Sequence, residues 1–291
     1  MAANCNMQIG LVTGLMVVAG MSATAPAAFV PPDSSNLRVW LAADTGVTTD
    51  GSGNVSAWDN QGTTADVTQS TATKRPHLVA SDPAVGNNPS LSFDGVDDVL
   101  QVNDASLANV AGGWTVFVVA QHRSATASKG ILGASNGDYG AASQWFLMDS
   151  TASSNESVIQ RDTSHPNTAG TVTGGPLDTS AHLYSTVWNG GTYQITQSVD
   201  GSANTVAINP PFAEISFSVL DIGNFIHFGS GFSAGDVNIS EILVYDTALS
   251  AQDQTTISDY LTNKYLAVPE PASLSLLGLS SLLVLRRRTR Y

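Results

Sequence analysis

Residues 114–121, WTVFVVAQ, decide the fold class of this chain. The first part of the stretch is apolar at successive positions, so both of its faces are apolar, as in a central strand covered on two sides. Around it, short apolar or alternating runs are separated by Gly, Asn and Asp, a pattern typical of an all-β sandwich or barrel. The other runs that we predict to be strands are 37–43, 90–93, 99–102, 145–148 and 237–245.

A hairpin is the clearest local signal. Residues 183–188 lead into Asn189-Gly190-Gly191, after which apolar residues recur at even spacing from 193 to 199. Asn-Gly supplies the positive φ angles that a tight primed turn needs, so we predict such a turn here. Asp200-Gly201 marks a second turn.

One helix is predicted after the last strand, over residues 250–266. Ser250 and Asp253 form a start that is similar to a capping box, with an acid shorter than the usual Glu. Ile257, Leu261 and Tyr265 recur every four residues and make one apolar stripe. We expect this helix to pack on a sheet.

The composition excludes several classes of protein. The chain has 291 residues, of which 12% are charged, and its formal net charge is −13. A nucleic-acid-binding surface needs clustered Lys and Arg, which this acidic composition argues against. A long coiled coil is also excluded, because Glu and Lys, which favour helices, are scarce. We therefore expect neither a nucleic-acid partner nor a helical bundle.

The N-terminal segment is predicted to be an export signal. Residues 9–21 are apolar or small, and Ala25-Pro26-Ala27 forms an A-x-A cleavage pattern, which together predict a signal peptide over residues 1–28. No Lys or Arg precedes the apolar run, so a buried N-terminal strand or helix remains the alternative. Cys5 is the only cysteine and lies in this segment, so the processed chain would contain no disulfide.

The C-terminal segment has three parts. Pro269-Glu270-Pro271 precede an apolar stretch, residues 272–285, and Arg286-Arg287-Arg288 follow it. Fourteen helical residues reach about 21 Å, short of the ~30 Å hydrocarbon core of a bilayer. This suits a transient sorting element better than a permanent anchor, although a plain membrane tail is the alternative. The arginines would hold this end on the cytoplasmic side.

This three-part tail, residues 267–291, resembles a PEP-CTERM sorting signal of exported bacterial proteins. The resemblance implies that the motif 269–271 and the cluster 286–288 are recognised by an exosortase-type membrane protease-transpeptidase, the expected partner. It also implies transient insertion into the inner membrane, followed by residence at the cell-envelope surface or in the extracellular matrix.

Three segments of the body resemble LamG-like jelly-roll domains of the concanavalin A-like lectin/glucanase superfamily. They are 53–62 (GNVSAWDNQG), 91–100 (LSFDGVDDVL) and 239–246 (ISEILVYD). The resemblance implies one domain over 29–266, an all-β two-sheet jelly-roll sandwich with one short C-terminal helix. Since this fold hosts binders and glycosidases alike, it does not by itself decide activity.

Catalytic signatures are scarce in the body. Glu156, Glu214 and Glu241 do not form the E-x-D-x-x-E pattern that jelly-roll glucanases carry on one strand. The G-x-S-x-G match at 133–137 lies in β-rich surroundings and not at a strand-to-helix turn, so we predict a loop there. We therefore predict no catalytic residue, while noting that two aspartates could still meet in space.

Asp94, Asp97 and Asp98 are candidate Ca²⁺ ligands, because calcium prefers several oxygen ligands and three acids fall within five residues here. Asp-Gly is also ordinary β-turn chemistry. In LamG-like domains the F-D-G segment leads into a core strand, so the resemblance favours the turn. Calcium is the one cofactor that the sequence suggests, since the five histidines lack zinc-motif spacing.

Candidate sugar-binding residues lie in the middle of the chain. Sugar binding calls for an exposed aromatic ring beside polar groups, because rings stack on the apolar face of a pyranose. Tyr139 follows Asp138, Trp145 follows Gln144, and Arg161 is a nearby cation. Trp145 also begins a predicted strand, so core packing is its alternative role.

Three functions follow from these patterns. The first is a non-catalytic lectin-like domain that binds a polysaccharide of the cell exterior, which the fold resemblance and the export route implied by the tail favour. The second is a structural surface or biofilm-matrix protein without a defined ligand. The third is a glycoside hydrolase with an unrecognised carboxylate pair.

Overall fold

The computed structural model describes residues 28–109, 112–126, 130–136, 145–150, 154–160, 170–208, 216–227, 230–231 and 233–267. The chain divides into two units, Met1–Val30 and Pro31–Tyr291, and the second is described below. Its strands are β1 Leu37–Ala42, β2 Val47–Thr49, β3 Val55–Trp58, β4 Val67–Thr68, β5 His77–Asp82, β6 Asn88–Asp94, β7 Leu100–Asn109, β8 Gly113–His122, β9 Leu132–Ser135, β10 Trp145–Ser150, β11 Ser154–Gln160, β12 Gly170–Pro176, β13 Ala181–Asn189, β14 Gln194–Val199, β15 Ser202–Ala207, β16 Ser216–Ile222, β17 Ile226–His227, β18 Ser230–Gly231 and β19 Asp236–Tyr245.

The strands form two antiparallel sheets. Sheet A has the order β15-β14-β13-β8-β19-β6-β5, and β1 pairs with β19. Sheet B has the order β12-β11-β10-β9-β16-β7-β4-β3-β2, and β17 and β18 form a separate pair. Seven of the sixteen strand pairs join strands that are not consecutive in the chain, including those at the centre of both sheets, as in a jelly-roll sandwich. The predicted all-β, two-sheet architecture is confirmed, and the predicted run 99–102 extends much further, as β7.

Strand β8 holds the centre of sheet A, as its apolar sequence predicts. Val116 and Val118 lie in the core between the sheets, and the ring of Trp114 there meets Phe217 edge-on with centroids 5.2 Å apart. The alternate residues Phe117 and Val119 are also buried. Each large side chain buried in this way stabilises the fold by about 1.5–3 kcal/mol.

The C-terminal helix α1 spans Ala251–Leu261 and begins at the predicted cap. The backbone N–H of Asp253 donates to Ser250 Oγ (3.2 Å), and the Ser250 hydroxyl donates to the Asp253 carboxylate (2.7 Å). The α-helix is shorter than predicted, because residues Thr262–Leu266 form a π-helical turn that is closed by a hydrogen bond from Ala267 N–H to Thr262 O. Ile257, Leu261 and Tyr265 are buried, as the stripe predicts.

The turn at Asn189 differs from the prediction. Asn189 Oδ1 accepts hydrogen bonds from the N–H groups of Gly191 (3.0 Å) and Thr192 (3.1 Å), and the positive φ falls on Tyr193 (52°) instead of Gly191. The Asn side chain therefore organises a longer loop, a competing use of this residue type. The primed-turn geometry lies at the second turn, where Asp200 and Gly201 have φ values of 49° and 82°.

The predicted signal peptide and sorting tail fall almost entirely outside the described residues, which begin at 28 and end at 267. Their boundaries, and that of the domain 29–266, stay predictions. Within the described part of the chain, no helix is both long and apolar enough to cross a membrane.

Candidate functional site

The loop after β6 is a turn organised by its first acid. Asp94 Oδ1 accepts hydrogen bonds from the backbone N–H groups of Val96 (2.8 Å) and Asp97 (3.3 Å). Gly95 has φ 77°, and a Cβ there would lie 2.9 Å from Cβ of Asp236, so a side chain would be strained and crowded. The turn that the F-D-G resemblance favours is therefore present.

The same turn brings together the three candidate calcium ligands. One carboxylate oxygen from each of Asp94, Asp97 and Asp98 lies within 4.8 Å of the others. Asp98 is only 8% exposed, and its Oδ2 accepts a hydrogen bond from Asp94 N–H (2.9 Å). Burial and the negative charge of Asp94 raise the pKa of Asp98 to about 7. A cation bound at this position would offset the free-energy cost of ionising the Asp98 carboxyl group.

Asp94 and Asp98 line a rim cleft of about 510 Å³, which also contains three basic side chains. Arg123 follows β8, where its Nη2 donates to Phe93 O (2.7 Å) and pairs with Asp236 Oδ1 (2.7 Å). We use the name rim cleft for the space lined by Asn54, Ala72, Thr73, Arg75, His77, Ser92, Asp94, Asp98 and Arg123.

The basic groups differ in how exposed they are, although Arg75 and Arg123 both have partners of their own. Arg75 is engaged by its own neighbours, since it donates to Gln69 O (2.9 Å) and lies 3.6 Å from Asp50 Oδ2. Arg123 keeps 39% of its side chain exposed, and His77 is exposed. The rim cleft is thus lined by carboxylate acceptors and by guanidinium and imidazole groups, a combination suited to hydroxyl groups, which both donate and accept.

The other predicted ligand residues are not assembled into a described site. Trp145 is the first residue of β10, where it pairs with Ser135 of β9 and Gln160 of β11. Asp138, Tyr139 and Arg161 lie outside the described residues, as do the tail residues Pro269, Glu270, Pro271, Arg286, Arg287 and Arg288. Their predicted roles stay predictions.

A second depression, of about 790 Å³, lies among residues of α1, β13 and the β14–β15 turn. Asp200, which lines it, belongs to a triad: His182 Nδ1 lies 2.6 Å from Asp200 Oδ2, and Nε2 lies 2.9 Å from Asp178 Oδ1. The bonds to Asp200 and Asp178 raise the pKa of His182 to about 9, against the effect of its partial burial. His182 is therefore charged at neutral pH and cannot serve as a general base there.

Two features of the described structure bear on hydrolase chemistry. Residues 133–135 of the G-x-S-x-G match lie within strand β9, so the predicted loop is wrong for these three residues, and Gly137 lies outside the described residues. On β10 and β11, Asp149 and Glu156 face each other as a register pair. Burial and the charge of Asp149 raise the pKa of Glu156.

Sequence reasoning missed the basic residues of the rim cleft. Arg75 and His77 lie two residues apart at the start of β5, and only the order β5-β6-β19-β8 brings Arg123, which follows β8, to the same end of sheet A. One signal was available. Because Lys and Arg number only 11 in 291 residues, each basic residue of the body could have been considered a candidate binding residue.

Comparisons with known proteins find similarity in fold only. No protein-family model matches the chain, and no curated protein does. Trypanosoma rangeli sialidase in complex with sialic acid is 14% identical, with a TM-score of 0.52 over 83% of this chain and 35% of that chain. A mutant of NanB sialidase from Streptococcus pneumoniae is 16% identical (TM-score 0.45; 57% of this chain, 27% of that chain). The Ruminococcus gnavus IT-sialidase CBM40 bound to α2,3-sialyllactose is 13% identical (TM-score 0.45; 58% and 95%).

The sheet order and the similarity to the Trypanosoma rangeli sialidase define the class of fold. The chain is a two-sheet β-sandwich of the jelly-roll type. It spans about a third or less of the two sialidase chains, and at such identities the likeness does not extend to activity.

Proposed function

We propose that this protein is a non-catalytic carbohydrate-binding protein whose rim cleft holds one or two sugar units of a polysaccharide. The observation that supports the proposal is the pairing, within about 510 Å³, of the carboxylates Asp94 and Asp98 with Arg123 and His77. Sugar hydroxyls need donors and acceptors side by side, and this cleft offers both.

Calcium is part of this proposal. Asp94, Asp97 and Asp98 supply three of the six to eight oxygens that Ca²⁺ takes, and water or sugar hydroxyls would supply the others. The charged form of Asp98 is costly in this buried position without a cation, which supports a cation there.

The test is binding of the full chain, in detergent, to a panel of soluble polysaccharides, with calcium and with a chelator. We expect saturable binding to one class of glycan, weakened at least tenfold by the chelator and by Asp98→Asn. Asp259→Asn, in α1, is the matched control and should bind as the unaltered chain does. If no glycan binds to a folded sample, the proposal is wrong and the structural-matrix function takes its place.

A glycoside hydrolase is the second candidate, and one observation favours it. Facing residues on adjacent antiparallel strands place their Cβ atoms about 5 Å apart, near the ~5–5.5 Å carboxyl separation of retaining glycosidases. Asp149 and Glu156 face each other in this way, with the pKa of Glu156 raised. Release of reducing ends from the bound glycan, abolished by Glu156→Gln, would establish this function instead of the first.

We further propose that the protein is exported and processed at its C-terminus by an exosortase-type enzyme. The support is the tail itself: Pro269-Glu270-Pro271, the apolar stretch 272–285 and the arginines 286–288.

Mass spectrometry of the surface-located protein tests the processing. We expect peptides from 29–266 and none from 286–291, because cleavage near the motif would remove the arginine cluster. Replacing Pro269-Glu270-Pro271 by alanines should retain the tail. Recovery of Arg286–Tyr291 in the surface-located form of the unaltered chain would show that the tail is a permanent membrane segment.

A further inference from the structure

Strand β15 ends sheet A and is exposed along its whole length. All six residues, Ser202–Ala207, are solvent-exposed, and among the described residues β15 pairs with β14 alone. The strand follows the Asp200-Gly201 turn directly, so its register with β14 is fixed. An edge of this kind presents unpaired backbone groups to solvent.

The register shows which backbone groups are unpaired. Val199 and Ser202 flank the two-residue turn as a hydrogen-bonded pair, and Ile208 N–H donates to Tyr193 O (2.8 Å) at the other end. Even-numbered residues of β15 therefore bond to β14. The N–H and C=O groups of Ala203, Thr205 and Ala207 point outward.

This edge lacks the usual protection against pairing. Natural edges carry Lys, Pro or a bulge, whereas the sequence SANTVA has no charge and no Pro, and its pairing with β14 has no register shift. The neighbouring edge of sheet B, β12, has the sequence GTVTGGP and is also uncharged. Asn204 Nδ2 donates to Thr173 O (2.6 Å) and joins the two edges.

The net charge of the chain bears on which partner can pair with the β15 edge. At a net charge of −13, two copies repel each other over most of their surfaces, and least where both present uncharged strands. The side chains of β15 are small enough for close backbone approach. Antiparallel pairing is also self-complementary about a two-fold axis, so two copies of one edge fit each other.

We propose that β15 is a self-association site at which two copies of this chain pair edge to edge. If the two-fold axis passes between the two Thr205 residues, Ala203 of one copy faces Ala207 of the other. The outward N–H and C=O groups of residues 203, 205 and 207 then form six hydrogen bonds between the copies. Sheet A then continues through both copies, and the dimer presents two rim clefts. If the clefts bind glycan as proposed above, the dimer would also bind with higher avidity, but the association does not depend on that function.

Sedimentation velocity of the full chain in detergent, over a concentration series, tests the proposal. We expect a dimer that Thr205→Pro weakens at least tenfold, because proline removes an outward N–H without touching the bonds to β14. Thr205→Ala keeps that N–H and should associate as before. Thr205→Lys should also abolish the dimer, whereas Thr196→Lys, which adds the same charge one strand inward, should not.

A cross-link locates the axis. In a Cys5→Ser background, Thr205→Cys should form a disulfide-linked dimer, since facing residues of a hydrogen-bonded pair lie about 5.5 Å apart at Cα. Unchanged melting temperatures would show that the variants fold. A chain that is monomeric at all concentrations, or a dimer that Thr205→Pro and Thr205→Lys both leave intact, would overturn the proposal.

Discussion

Replacing Glu241 by Ala should lower the free energy of unfolding by about 3–5 kcal/mol, the cost of removing one partner from a buried charge network. Glu241 is fully buried on β19. Its carboxylate accepts hydrogen bonds from Trp40 Nε1 (2.7 Å), from Tyr265 OH (2.7 Å) and from Lys264 Nζ (2.9 Å). Without it, the Lys264 ammonium loses its buried partner and the buried Tyr265 hydroxyl loses its acceptor.

Chemical unfolding monitored by circular dichroism measures this effect. Glu241→Gln keeps the side-chain volume and one hydrogen-bond acceptor, so it should lower the free energy of unfolding by less than Glu241→Ala does. Asp44, which lies 3.0 Å from Lys264 Nζ at the surface, is the matched control, and Asp44→Ala should cost less than about 1 kcal/mol. A loss below 1 kcal/mol for Glu241→Ala would show that the network does not hold the helix to the sheet.

The second large effect depends on pH and comes from His182. Its pKa is raised from 6.5 to about 9, so its ion pairs stabilise the fold fully below pH 6.5 and this contribution is lost as the pH rises through 9. At ~1.4 kcal/mol per pKa unit the shift corresponds to about 3 kcal/mol. Asp178 and Asp200 are 42% and 47% exposed, and solvent screening reduces the expected contribution to about 1–2 kcal/mol.

Unfolding curves of His182→Gln at pH 6 and pH 10 test this expectation. The variant should be less stable than the unaltered chain by about 1–2 kcal/mol at pH 6, and the difference should shrink at pH 10. If the two proteins differed in free energy of unfolding by the same amount at both pH values, His182 would act by packing alone.

The sequence allowed most of the fold to be predicted, because local periodicity determines strands and helix. The apolar run of β8, the strand β19 and the Ser250 cap were all found where they were predicted. The turn at Asn189 was missed because an Asn side chain can cap backbone N–H groups as readily as it adopts a positive φ.

The candidate site was predictable only in part. Asp94, Asp97 and Asp98 are close in sequence, so one turn unites them. Arg123 and His77 join them through non-local strand pairing, which residue spacing does not encode. The network around Glu241 was missed for the same reason, since Trp40, Glu241 and Tyr265 come from β1, β19 and the turn after α1.

The affinity of the bound glycan for rim-cleft variants tests the central claim most directly. Titration calorimetry should compare the unaltered chain with His77→Ala and Arg123→Gln, and with Asp259→Asn as the control in the other depression. We predict at least a tenfold loss of affinity for both cleft variants, with melting temperatures near that of the unaltered chain, and no loss for the control. Equal affinity in all four proteins would contradict the account and place the binding site elsewhere on the sandwich.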